Sequence, residues 1–192
     1  MAIENQGISY IEWGAITAGA VLACAISLIL LQFGNAIDIS SAYFQRHENI
    51  TSMEVLLIGL WFFVVQLISS ICGGYLAGRM RSPWGNTISS EGELRDGAHG
   101  LMVWATSTIL AVIATSFVAF IGAIANQHGL VDNHHLHIDE IITRKTAIIM
   151  AFGSAAGAIV SAVAAWWMGV VGGDHRDKGI IAKGYRTFRR IK

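Results

Sequence analysis

Gly153-Ser154-Ala155-Ala156-Gly157-Ala158-Ile159-Val160-Ser161-Ala162-Val163-Ala164-Ala165-Trp166-Trp167-Met168-Gly169-Val170-Val171-Gly172-Gly173 is the stretch that decides the fold. Every fourth position is small: Gly153, Gly157, Ser161, Ala165, Gly169 and Gly173. On a helix, residues four apart lie on one face, so the stretch carries a continuous strip without bulky side chains. Lipid tails are as apolar as leucine, and helices in a bilayer therefore associate through close backbone approach, van der Waals contact and hydrogen bonds. The strip predicts tightly apposed transmembrane helices and names no chemistry.

A helix crossing the hydrocarbon core needs about 20 predominantly apolar residues. Four segments qualify: 13–33, 55–77, 101–125 and 146–171. None shows the period-2 alternation of a membrane barrel, and lipid cannot satisfy exposed backbone amides, so each is expected to be a helix. The composition agrees, with 54 % hydrophobic and 14 % charged residues and a single proline, where soluble domains carry about 25 % charge. Thirteen basic and thirteen acidic side chains cancel, which leaves no electrostatic footprint for nucleic acid. Cys24 and Cys72 both fall in apolar spans and read as small hydrophobes. The expected fold class is an all-α membrane protein: four transmembrane helices as two tandem helical hairpins with small-residue packing. Residues 1–173 form one domain, and residues 174–192 form a basic tail.

Orientation follows from Lys and Arg near the spans. Ten lie on the side of the two termini and the 78–98 loop, against Arg46, Arg144 and Lys145 on the other. Both termini are expected in the cytoplasm. Tyr10, Trp13, Tyr75, Trp104, Trp166 and Trp167 map near that same interface, as an aromatic belt would. Thr51-Ser52-Met53-Glu54 fits a capping box before span two, Ser82-Pro83-Trp84-Gly85-Asn86 is a turn, and Ser90 and Glu93 fit a short helix leading into span three.

The ends of spans two and four resemble each other, Gly74 to Arg79 against Gly169 to Gly173 followed by Arg176. With two hairpins running the same way, this points to a tandem duplication about an axis along the membrane normal. Gly74 and Gly78 give span two a small-residue strip of its own, and Ser107, Ala111, Thr115, Ala119 and Ala123 give one to span three. Either the strips simply make a compact bundle, or one of them, that of span four, faces a neighbouring chain.

Chemistry has few candidate places. In the second outer loop His128, Asp132, His134, His135 and His137 supply imidazole and carboxylate ligands suited to a divalent metal, without any established ligand spacing. Near the inner helix ends Glu12, Asp96, His99, Asp174 and His175 are expected to pair with Arg79, Arg95 and Arg176 at the headgroup level. The central portions of the spans carry no ionisable residue, and Gln66 is the one strongly polar side chain near mid-membrane. That argues against a proton-coupled transporter and an intramembrane hydrolase. The tail spaces Ile181, Tyr185, Phe188 and Ile191 as an apolar stripe, with Lys183, Arg186, Arg189 and Arg190 around it. A basic amphipathic helix on anionic lipid headgroups is expected there.

Trp13-Gly14-Ala15, Gly73-Gly74-Tyr75-Leu76-Ala77-Gly78-Arg79 and Asp96-Gly97-Ala98-His99-Gly100-Leu101 together resemble the small bacterial integral membrane proteins often labelled PhnA-like. The resemblance implies a four-span inner-membrane protein of unknown activity. Its label speaks of phosphonate hydrolysis, but no metal-binding catalytic framework is present to receive that role. The expected function is non-enzymatic: an accessory subunit of a larger inner-membrane assembly, or a homo-oligomer, whose partners are membrane lipids and other transmembrane helices. No cofactor is expected beyond a divalent metal in the outer loop. The alternative is a small channel or carrier whose outer histidines capture a solute or metal ion.

Overall fold

A computed structural model of the chain describes residues 10–36, 52–82, 89–127 and 140–179. It consists of four α-helices: α1 Trp13–Ala36, α2 Ser52–Met80, α3 Ser89–Gln127 and α4 Glu140–Asp177. The described residues contain no strand. All four helices are long and apolar enough to cross a membrane. Each runs past the span expected for it, because hydropathy stops counting where polar residues begin while the backbone continues to coil. At 1.5 Å per residue the 39 residues of α3 reach about 58 Å, against an apolar core of about 30 Å. The short helix expected at Ser90 is instead the first turns of α3 itself. Gly97 and Gly100, which disfavour helix on their own, are held there by contacts with Trp166 and Ala165 of α4.

The contacts set out the bundle. Gly19 against Gly73 and Gly34 against Trp61 make α1 and α2 antiparallel. Gly100 against Ala165 and Trp104 against Ser161 do the same for α3 and α4. Gly157 against Phe63 and Gly74 against Ala165 place α4 parallel to α2. In turn α3 lies parallel to α1, with Val103 beside Gly19. Two hairpins therefore sit side by side, and α2 also touches α3 across the diagonal, whereas α1 does not reach α4. A two-fold axis along the membrane normal would map the α2–α3 contact onto α1–α4. The absence of that second contact among the described residues means that no exact two-fold axis relates the hairpins.

Glycine permits the crossings. A Cβ on Gly19 would stand 2.6 Å from the Gly73 carbonyl oxygen, and one on Gly74 would stand 2.5 Å from that of Ala165. Backbone thus meets backbone, with Ile16, Ala23, Ala77 and Val103 filling the space between. The backbone-to-backbone crossings lie in the half of the bundle where α1 and α3 begin and α2 and α4 end, while at the other end α1 and α2 still meet through Gly34 and Trp61. From Ile109 to Ile124 every residue of α3 is exposed.

Candidate functional site

The polar residues that the sequence scatters over four helix ends converge on one rim. Arg81, Arg95, Asp96 and His99 are each no more than 3 % exposed there. A carboxylate or guanidinium is retained at such burial only when it is paired and hydrogen-bonded. Asp96 is paired twice. Its Oδ1 accepts from Arg81 Nε, and Arg176 grips both oxygens as a fork, Nη1 to Oδ1 at 3.3 Å and Nη2 to Oδ2 at 3.2 Å. Such a planar two-point match is what a guanidinium offers and an ammonium does not. Arg176 Nη1 also donates to the carbonyls of Gly78 at 2.8 Å and Arg81 at 3.0 Å. It thereby caps the C-terminus of α2 from α4, where orphan carbonyls need partners. Gly173 makes the approach feasible, since a Cβ there would collide with the Asp96 carboxylate.

A second knot ties the segment before α1 to α3. Arg95 Nε donates to the Tyr10 carbonyl at 2.7 Å, and the guanidinium lies 5.4 Å from the centroid of the Tyr10 ring. Glu12 Oε1 stands 3.7 Å from Arg95, and the Glu12 carboxylate accepts from the Ser82 N–H at 3.0 Å. His99 completes the knot. Its Nε2 accepts the Glu12 N–H at 3.0 Å, and its Nδ1–H donates to the Arg95 carbonyl at 2.8 Å. Because one partner only donates and the other only accepts, the bonds fix both the neutral imidazole and its tautomer.

Of the residues expected at the rim, Glu12, Asp96, His99, Arg95 and Arg176 are thus brought into one network. His175 stands apart, with Nδ1 3.3 Å from the Tyr75 hydroxyl, and Asp174 pairs with Lys178 on the surface. Arg81 is the member that sequence reading missed. A signal was present: the offset that aligns Gly74 with Gly169 and Gly78 with Gly173 also aligns Arg81 with Arg176, and both guanidiniums seize Asp96.

Deeper in the bundle the strip of α4 is occupied from Gly157 inward. Gly157 meets the Phe63 ring at 3.1 Å, Ser161 and Ala165 are fully buried, Gly78 lies on the Gly169 backbone, and Gly173 meets Asp96. Gly153 faces open space. The strip is therefore filled by α2 and α3 of the same chain. Trp104 Nε1 donates to Ser161 Oγ at 3.0 Å, and that hydroxyl also reaches the Ala158 carbonyl at 2.9 Å. Trp104→Phe is expected to cost about 1 kcal/mol, as interhelical hydrogen bonds in bilayers do. Reversible unfolding in mixed micelles measures it, and an unchanged midpoint would remove this bond from the packing of α3 on α4.

The metal candidates His128, Asp132, His134, His135 and His137 lie outside the described residues, as do the lipid candidates Lys183, Arg186, Arg189 and Arg190, Thr51 of the capping box and residues 83–86 of the turn. Among the described residues no group of three or more His, Cys, Asp or Glu side chains is placed to hold a metal ion. No protein-family model, curated protein or solved structure matches this chain. The rim binds its own charges to one another. Its acceptors are saturated by guanidiniums and backbone amides, which suits holding helices together.

Proposed function

We propose that the chain is a non-enzymatic integral membrane protein that works by docking against other transmembrane helices, as an accessory subunit of an inner-membrane assembly or as a homo-oligomer. In this reading the polar rim faces the cytoplasm, as the distribution of Lys and Arg indicates. One observation carries it. The outer half of α3 is exposed on every side, including the small residues Ala111, Thr115, Ala119 and Ala123, and a Cβ on Gly122 would meet nothing. A small-residue strip is a surface for close helix approach, and this one has no partner among the described residues of its own chain. The reading therefore takes the outer half of α3 as the docking face, since the strip of α4 is filled inside the bundle from Gly157 onward.

A conducting path finds less support. Ser69 Oγ donates to the Val65 carbonyl at 2.8 Å, Ser107 to that of Trp104 at 3.0 Å and Thr108 to the same oxygen at 2.8 Å. These hydroxyls turn back onto their own helices, as serine and threonine do in apolar surroundings. Purification in a mild detergent followed by native mass measurement tests the docking reading. A mass above that of the monomer is expected, and Ala119→Leu is expected to lower it while helix content stays unchanged. A stable lone monomer without crosslinked neighbours would sink the proposal.

A further inference from the structure

His99 does something the packing does not require of it. Its Nε2 caps the amide of Glu12, one turn ahead of the Ala15 and Ile16 amides that donate to the Glu12 carbonyl at 3.1 and 3.2 Å. The N-terminus of α1 is thus capped from α3, by a side chain that changes charge near neutral pH. The groups facing that imidazole are known from each element around it. Arg95 lies one turn earlier on α3, Arg81 stands at the end of α2, and Glu12 precedes α1; Arg176, the rim guanidinium of α4, is engaged with Asp96.

We infer that His99 is a proton-operated catch: neutral, it caps the Glu12 amide at the start of α1, and protonated, it releases that amide while Arg95 keeps its hold on Tyr10. The mechanism is local. A proton on Nε2 turns the acceptor into a donor, so that an N–H faces the Glu12 N–H across 3.0 Å. The added positive charge enters a site already holding two guanidiniums, with Glu12 as the carboxylate nearest to both the ring and Arg95. Release of the Glu12 amide frees the start of α1 and loosens the link to Ser82 that the Glu12 carboxylate makes at the end of α2. The catch is closed at neutral pH and opens as acidification protonates the ring. It does not rest on the docking proposed for the outer half of α3, which lies at the other end of the bundle.

Hydrogen exchange of the Glu12 amide reads the catch directly, using the full chain in lipid nanodiscs at about pH 7.5 and about pH 4.5, the lower value set well under the ordinary histidine value of about 6.5 because burial and the guanidiniums of Arg81 and Arg95 hold the His99 ring below it. After correction for the intrinsic pH dependence of exchange, protection at Glu12 is expected to fall about tenfold at the lower pH. Protection at Ser69, inside α2, is expected to hold. Glu12→Gln keeps the amide and removes the carboxyl, so its pH response is expected to persist, whereas that of His99→Gln is expected to vanish. Equal protection of the parent at both pH values overturns the inference, and so does a response lost in Glu12→Gln, which would make the carboxyl the titrating group. The parent and Glu12→Gln decide the matter even if His99→Gln does not fold.

Discussion

Gly78→Leu is expected to abolish the native bundle. The three atoms nearest to a Cβ at this position are the oxygen, carbonyl carbon and Cα of Gly169. Backbone cannot rotate aside as a side chain can, so α2 and α4 would have to separate. Overpacking a core that can shift costs about 1–3 kcal/mol. Here separation also lifts Gly74 from the Ala165 carbonyl and draws Arg176 away from the Gly78 and Arg81 carbonyls, three contacts set by the same crossing. These contacts are lost together, so the loss is expected to exceed that range and to reach about 5 kcal/mol, the lower end of ordinary protein stability. Gly153→Ala is the matched control. A Cβ there meets nothing, and alanine favours helix over glycine by about 1 kcal/mol, so this variant is expected to be neutral or slightly more stable. Unfolding of both variants in mixed micelles separates the outcomes. Equal tolerance at the two positions would mean that α2 and α4 do not cross at Gly78.

The difference between these two glycines marks how far the sequence could be read. Periodicity identifies a face of a helix, and it correctly gathers Gly153 and Gly157 into one strip. It does not say where along that face the neighbour ends. The strip is filled from Gly157 inward because α2 and α4 converge toward the rim, and that convergence is a property of all four helices together. The four spans were legible for a simpler reason, since about 20 apolar residues can do little else in lipid. Their true ends were not. Residues 89 to 100 of α3 are too polar to count as a span, yet they coil because Gly97 and Gly100 let α4 close over them.

At the rim the sequence showed which charges lie near helix ends but not that Arg95, Asp96 and His99 would be buried. Burial arises only when the segment before α1 and the ends of α2 and α4 close over the start of α3. Arg81 was hidden among ordinary topology-setting arginines. Its role becomes visible once the Gly74 and Gly169 motifs are aligned and the two arginines are seen to occupy the same place.

Asp96→Asn is expected to be the most damaging change among the charged residues, because of what it leaves behind. The amide keeps the shape of the carboxylate but removes the charge that Arg81, itself 2 % exposed, is buried against. Breaking one side of a buried pair costs about 3–5 kcal/mol, most of it from the charge left without compensation, whereas removing both partners is often close to neutral. Arg176 is buffered, because Asp177 holds its Nε at 2.8 Å and two carbonyls hold its Nη1; the penalty therefore falls on Arg81. The double variant Asp96→Asn/Arg81→Met is accordingly expected to recover at least about 1 kcal/mol relative to Asp96→Asn alone. The surface pair of Lys178 with Asp174, whose side chains are 64 % and 46 % exposed, sets the scale for comparison. Lys178→Ala is expected to cost no more than about 0.5 kcal/mol. If Asp96→Asn proves as mild as Lys178→Ala, the rim charges are solvated in the membrane and do not hold the helix ends together. If the single variant is severe and the double recovers, Asp96 is present because two arginines from equivalent positions of the two hairpins need one acceptor between them.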